Sequence, residues 1–322
     1  MKGKHHIIVE NKRIRYEFDI RRNITVVKGD SATGKTTLID LIDAYQNQGD
    51  SSGVNVISDC SIEVLYGNSW KNRIDQSSNC IFFIDEGNHF VVTQEFAESV
   101  KKADAYFVLI LRDSLPNLPY SIEEIYGIRR SSRYAGLKKT YNEFYHLYGK
   151  IDMSTDSKQT LVVTEDSNSG YDFYSAKSWN QVISAHGKSN IKKLLLQNRG
   201  KSILVIADGA AFGSEMESVM RFVENGDPVL LYLPESFEWI ILKSNLLEDH
   251  DIPDILASPE EYIDSQSYFS WERYFTKILI EKTQNTYLHY QKDSINPVYL
   301  HDKNKEKILQ VLPEEIRKLF AD

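Results

Sequence analysis

The chain has 322 residues, 41% hydrophobic and 26% charged, with a formal net charge of −8. That composition fits a globular chain long enough for two domains and excludes a disordered or fibrous one. No apolar run approaches the ~18 residues needed to cross a bilayer. Met1–His6 leads into no apolar segment of the signal-peptide kind, so a cytoplasmic protein without membrane contact is expected. The two cysteines, Cys60 and Cys80, form no C-x-x-C pair. This fits a reducing compartment and argues against structural zinc or a disulfide framework. Residues 1–150 carry 20 Lys+Arg and 19 Asp+Glu (net +1), and residues 151–322 carry 18 and 27 (net −9). A broad DNA-binding surface would be basic. Contact with nucleic acid would therefore be local, or supplied by oligomer geometry or a partner; a simply well-solvated acidic half is the equal alternative.

In chain order, residues 6–20 read as a hairpin. Ile7-Ile8-Val9 leads to a polar turn, after which Ile14, Tyr16, Phe18 and Ile20 alternate with charged residues. Tyr16 is either core or an aromatic that stacks on a nucleotide base. Ile24–Val27 is a short apolar β-branched run, and Gly29-Asp30-Ser31-Ala32-Thr33-Gly34-Lys35-Thr36 follows it with the spacing G-x-x-x-x-G-K-[ST]. Residues 37–42 then have apolar residues at helical spacing. Strand, glycine loop and helix together read as a phosphate-binding loop, with backbone N–H groups and the positive helix end turned to an anion. ATP is the expected ligand, bound by Gly29 through Thr37. Lys35 would reach the β- and γ-phosphates, and the Thr36 hydroxyl would ligate Mg²⁺.

Short strands are expected over 54–57 and 62–66. Cys80–Ile84 is an apolar strand ending in Asp85-Glu86. One metal links this motif to the glycine loop: Asp85 would hold the Mg²⁺, and Glu86 would polarise the attacking water. After a helix near 94–102, the strand 105–111 ends at Arg112, a sensor of the γ-phosphate or a bland surface arginine. The alternation predicts a parallel sheet covered on both faces, with 122–128 closing it. Arg129, Arg130, Arg133, Lys138 and Lys139 form the one dense basic cluster, interleaved with Tyr134, Tyr141, Phe144, Tyr145 and Tyr148. An amphipathic linker helix is preferred there over a nucleic-acid groove. Residues 149–159 read as the boundary between a domain over 1–148 and one over 160–322.

The second half has three apolar strands. One ends at Glu165-Asp166, one (202–207) at Asp208-Gly209-Ala210, and one (228–233) runs into Glu235-Ser236-Phe237-Glu238. A helix is expected from Tyr171 and another over 191–197. Acids converging on one sheet edge suit Mg²⁺ or Mn²⁺; as an alternative they cap the following helices. From Asp254 onward the sequence reads as helices, with apolar faces at 271, 274, 275, 278 and 279 and at 308, 311, 316 and 320, packed on the second domain.

The series Thr164-Glu165, His186-Gly187-Lys188-Ser189-Asn190, Asp208-Gly209-Ala210 and Glu235-Ser236-Phe237-Glu238 resembles a Toprim-like domain. A P-loop ATPase followed by such a domain is similar to the overcoming-lysogenization-defect nucleases and related anti-phage ATPase–Toprim proteins. The resemblance extends to about residue 245. It implies an α/β chain: a P-loop NTPase domain, then a smaller Toprim-like domain with a helical C-terminal region. It also implies a Mg²⁺-dependent nuclease centred on Glu165, Asp208 and Glu238, an oligomer, nucleic acid as substrate and a second defence protein as partner. Two departures are visible. Ala210 stands where the Toprim Asp-x-Asp pattern has its second acid, so that one ligand is missing or comes from Glu238, Glu235 or Glu215. The first half lacks an L-S-G-G signature, and only 49 positions separate Thr36 from Asp85, so ABC-style closure is not implied. A nucleotide-controlled sensor or scaffold acting through partner binding is the rival reading. A small-molecule kinase is disfavoured by Asp85-Glu86.

Overall fold

Two sheets organise the chain, one in each of two compact units spanning Met1–Gly149 with Ser258–Phe269, and Lys150–Ala257 with Ser270–Asp322. The computed structural model describes residues 1–29, 33–134, 136–148, 160–176, 178 and 180–320. The expected boundary at 149–159, and Asp30, Ser31 and Ala32 of the glycine loop, lie outside the described residues. Among those described, no helix is long and apolar enough to cross a membrane.

The first unit contains β1 (His5–Glu10), β2 (Ile14–Ile20), β3 (Ile24–Val27), α1 (Lys35–Gln48), β4 (Asn55–Ile57), β5 (Ser61–Val64), α2 (Trp70–Gln76), β6 (Cys80–Ile84), α3 (Gln94–Lys102), β7 (Ala105–Ile110), β8 (Ile125–Arg130) and β9 (Thr140–His146). The nine strands form one sheet in the order β4-β1-β2-β9-β8-β3-β7-β6-β5. The sheet is mixed, not parallel as the alternation predicted. Strands β3, β5, β6, β7 and β8 run parallel, but the N-terminal hairpin and the β8–β9 pair add antiparallel ladders to the same sheet. The strands buried on both faces, β3, β6 and β7, are the continuous apolar runs. Strand β8 does not close the sheet; it pairs with β3 in the interior.

The order of strands has a geometric consequence. Strands β4 and β5 lie at opposite edges, yet only Ser58, Asp59 and Cys60 join them. A flat nine-stranded sheet would hold its edges about 38 Å apart, whereas four Cα steps reach roughly 15 Å. The sheet therefore curls until its edges approach. Helix α1 fills the trough: Leu38, Ile39, Leu41 and Ile42 share one buried cluster with Ile7, Val9, Tyr16 and Phe18 on one flank and Phe83, Val108 and Ile110 on the other.

The basic, aromatic stretch is not a linker helix. It makes β9, because alternating Tyr141, Glu143 and Tyr145 suit a strand lying antiparallel to β8. Arg129 faces Glu143 across this pair at 2.9 Å and lies 5.1 Å from the Tyr145 ring centre.

The second unit contains β10 (Leu161–Thr164), α4 (Ser169–Ser175), β11 (Val182–Ser184), α5 (Ile191–Gln197), β12 (Ile203–Ile206), α6 (Gly213–Glu224), β13 (Val229–Tyr232), α7 (Phe237–Lys243) and α8 (Asp251–Ala257). Its four strands are all parallel, ordered β11-β10-β12-β13. The short α9 (Pro259–Tyr262) follows, and the segment around it departs from the expected packing. Residues 258–269 belong to the first unit, where Gly3 N donates to the Glu260 carbonyl (2.8 Å), Ser265 N to that of Met1 (2.9 Å) and Asn23 Nδ2 to that of Phe269 (2.6 Å). Helices α10 (Trp271–Thr283), α11 (Asp302–Leu309) and α12 (Glu314–Arg317) return to the second unit. Helix α10 packs on α7, burying Trp271, Tyr274, Phe275 and Leu279.

Candidate functional site

In the first unit the glycine stretch joins β3 to α1. Gly34 is the N-cap of α1, with φ +96°, and no side chain caps the helix; no acid occupies its first turn. The first-turn N–H groups and the positive helix end therefore have no built-in anionic partner. The Lys35 ammonium folds back over the loop, donating to the Gly29 carbonyl (2.7 Å) and Thr33 Oγ1 (3.0 Å). Thr36 and Thr37 are exposed. Tyr16 is wholly buried and its hydroxyl donates to the Gly34 carbonyl (2.8 Å). It is a support of the loop, so the base-stacking role considered for it is excluded by its burial.

Parallel pairing of β3 with β7 and of β7 with β6 brings the carboxyl ends of three neighbouring strands to one edge. Val27 lies level with Ile110, and Leu109 with Ile84. The loops starting at Lys28, Leu111 and Asp85 therefore emerge side by side. Asp85 accepts a hydrogen bond from Glu86 N (2.8 Å). Glu86 is held by Arg112, whose Nε and one terminal nitrogen each donate to a carboxylate oxygen at 2.8 Å. This two-point clamp joins the residue expected to orient water to the residue considered as a γ-phosphate sensor.

In the second unit the three acid-bearing strand ends do converge, on a cavity of about 160 Å³. Glu165, Asp208 and Glu238 line it as the sequence suggested. It also carries Asp166, the second acid at the end of β10, together with Glu272 and Lys292, which no sequence motif marks. Glu272 comes from α10, more than sixty residues beyond Asp208, so no local pattern signals it. Ala210 is buried at 4% exposure, and neither Glu235 nor Glu215 lines the cavity. Glu238 and Glu272 are thus the carboxylates that accompany Glu165 and Asp208. Gly209 is fixed by backbone crowding: a Cβ there would lie 2.4 Å from the Leu233 carbonyl and 2.9 Å from that of Pro234. This close approach seats the end of β12 against the end of β13.

The cavity is electrostatically tense. Burial raises the Glu165 carboxyl to about 7, opposed by the hydrogen bond its Oε2 accepts from Asp208 N (3.1 Å). Burial raises Asp208 well above the carboxylate range, and the charges of Glu272, Glu165 and Glu238 add to it. Asp166 is raised by burial and by Glu238, opposed by the N–H groups of Gly170 and Asn168. Glu238, 2% exposed, accepts from the Tyr290 hydroxyl (2.9 Å), which also meets Ser169 Oγ (2.6 Å). Burial alone would lower Lys292, but Glu272, Glu238 and Asp208 outweigh it and hold the lysine charged, paired with Glu272. Tyr174 lines the same cavity, and among the described residues its buried hydroxyl has no hydrogen-bond partner. Five carboxylates lining the cavity against one lysine, Lys292, suit a hydrated divalent cation. Among the described residues, no three of these carboxylates bring their oxygens within 4.8 Å of one another.

The chain matches no protein-family model and shows no significant similarity to a curated protein. Its function is argued from these two sites.

Proposed function

We propose that the chain binds and hydrolyses Mg-ATP in its first unit, and that its second unit is a Toprim-like, Mg²⁺-dependent nuclease acting in cytoplasmic anti-phage defence. The ATP reading rests on the uncapped α1 preceded by Gly29–Gly34, with Lys35 reaching over the loop and Asp85-Glu86 two strands away. Backbone N–H groups of the loop would hold the phosphates, Lys35 would bridge them, and Thr36 and Asp85 would hold the Mg²⁺. When bound, that ion supplies charge neutralisation of the phosphates. Arg112 would turn to the γ-phosphate, and Glu86, released from the clamp, would orient the attacking water.

The nuclease reading is carried by one observation, the convergence of Glu165, Asp208, Glu238 and Glu272 on a single cavity. These carboxylates would hold the cation, which supplies Lewis-acid polarisation of a phosphodiester. Glu165, raised to about 7 in the metal-free chain, would give up its proton near neutral pH as the cation binds. Defence, a partner protein and an oligomer follow from the resemblance of the motif series alone. A non-catalytic, nucleotide-controlled sensor or scaffold is the second reading, and two observations favour it: Lys292 already neutralises Glu272, and Ala210 replaces an acid.

Incubation with plasmid DNA, single-stranded DNA and RNA, with Mg²⁺ or Mn²⁺ and with or without ATP, separates these readings. Cleavage that disappears in Glu165→Gln and Asp208→Asn supports the nuclease. ATP turnover with no cleavage under any metal leaves the sensor reading.

A further inference from the structure

The seam where the curled sheet brings its edges together holds a second cluster, away from the glycine loop and built from residues no motif singles out. His5 opens β1, and Asp59 and Cys60 lie in the three-residue turn between β4 and β5. The β1–β4 register pairs Ile8 with Ile57 in antiparallel sense; continuing it past Ile57 brings Asp59 and Cys60 level with His6 and His5. His5 Nδ1, Asp59 Oδ1 and Cys60 Sγ all lie within 4.8 Å of one another, with His5 Nδ1 2.9 Å from Asp59 Oδ1.

We propose that His5, Asp59 and Cys60 form a transition-metal site, selective for Zn²⁺-type ions over Mg²⁺, that staples β1 to the turn joining the two edge strands of the nine-stranded sheet.

Four features carry this. The donor set pairs a soft thiolate and an imidazole with one carboxylate, a combination that suits Zn²⁺ or Co²⁺ and is foreign to Mg²⁺. Ligands at 2.0–2.3 Å around a tetrahedral ion stand about 3.3–3.8 Å apart, so atoms already within 4.8 Å need to move little. The imidazole is oriented as a ligand: Nε2 donates to the Lys2 carbonyl (3.0 Å), which leaves Nδ1, donating to Asp59 Oδ1 in the metal-free chain, as the nitrogen an ion would take in place of that proton. Its ring is 6% exposed and meets Tyr106 edge-on at 5.6 Å, which fixes its plane. Ser58 Oγ lies 3.4 Å from Cys60 Sγ and accepts from Cys60 N, so the thiol also has an outer partner. Finally, the site is open on one side. The Asp59 side chain is 63% exposed, leaving an entry path and a fourth position for water. The usual zinc spacing is absent from the sequence because His5 and Asp59 are 54 residues apart and only the pairing of β1 with β4 joins them. Cys80, sealed inside β6, takes no part.

The test uses the full-length chain, stripped with a chelator and titrated with Co²⁺ as a spectroscopic probe and with Zn²⁺ in competition. One Co²⁺ per chain should bind with a thiolate-to-cobalt charge-transfer band and tetrahedral visible bands, any Co²⁺ at the carboxylate cavity lacking that band, and Zn²⁺ should displace the thiolate-bound ion while millimolar Mg²⁺ does not. Loss of an outer partner alone costs 10–100-fold in affinity, so Cys60→Ser and Asp59→Asn should each weaken binding at least tenfold, with Cys60→Ser also removing the band. Both lie in a turn, so the test does not depend on altering the buried His5. Glu165→Gln should leave the band unchanged. Absence of the band at equimolar Co²⁺, a band unaffected by Cys60→Ser, or a band lost in Glu165→Gln overturns the assignment and leaves a hydrogen-bonded cluster only.

Discussion

Gly34→Ala is the most demanding perturbation of the loop that joins β3 to α1. Gly34 has φ +96°, where an L side chain costs about 1–2 kcal/mol. The new Cβ would stand 2.7 Å from the Tyr16 hydroxyl and 3.3 Å from Asn142 Nδ2. Tyr16 is fully buried between β1, α1 and β9 and has no free direction to retreat, so overpacking adds about 1–3 kcal/mol. The first unit should lose about 2–5 kcal/mol in total. Tyr16→Phe alone removes one hydrogen bond to the Gly34 carbonyl, about 1 kcal/mol, and it also removes the atom the new methyl would strike. In the double variant the steric part largely vanishes while the φ cost stays. The two changes should therefore couple by about 1–2 kcal/mol in the favourable direction. Urea unfolding of the four proteins, monitored on the first unit, gives the cycle, and an ATP titration of each reports on the loop. Strict additivity, or a Gly34→Ala protein within about 0.5 kcal/mol of the parent, would refute the role given to Tyr16.

Three further outcomes are expected. Glu124 is fully buried against Arg21 (3.0 Å), Arg22 (3.4 Å) and Thr25 (3.2 Å), so Glu124→Ala should cost about 3–5 kcal/mol by leaving buried positive charge unanswered; a thermal shift near zero would contradict this. Glu86→Gln should slow ATP turnover by about 10²–10⁴-fold while nucleotide still binds, and undiminished turnover would remove Glu86 from the reaction. Because Glu165 is raised from 4.5 to about 7, the folded metal-free chain holds a proton there that the unfolded chain has lost. Its contribution to stability is therefore highest below about pH 4.5 and declines as pH rises to 7. Mg²⁺ needs the ionised carboxylate, so its affinity should climb through the same window. Calorimetry of Mg²⁺ binding at pH 5.5 and 8 checks the sign, which Glu165→Gln should abolish.

How much of this was legible depended on whether the signal was local. The glycine loop, the strand ending in Asp85-Glu86, the helix over 191–197 and the three acid-ended strands were each readable, because periodicity and turn chemistry act over a few residues. The β1–β2 hairpin was readable too, but the mixed character of the large sheet was not, because nothing in β2 or β9 says that the two pair and so join the hairpin to the parallel strands. The segment 129–148 was misread as helical since aromatic and basic residues fit an amphipathic helix nearly as well as a strand; cross-strand pairing of Arg129 with Glu143 decided it. Tyr16 could be read as exposed or buried from alternation alone, and the curl of the sheet around α1 settled it. Glu272 and Lys292 were invisible for the same reason as the His5–Asp59–Cys60 cluster. Residues distant in sequence meet only after folding, and no spacing rule encodes that.

The central claim is that Gly29–Thr36 is a nucleotide site, and the most direct measurement is an equilibrium titration of Mg-ATP into the full chain and its Lys35→Ala variant. Saturable binding to the parent is expected, with a loss of affinity of about a hundredfold or more in the variant and the fold intact by circular dichroism. Equal affinity in the two proteins, or no binding to either, would contradict it.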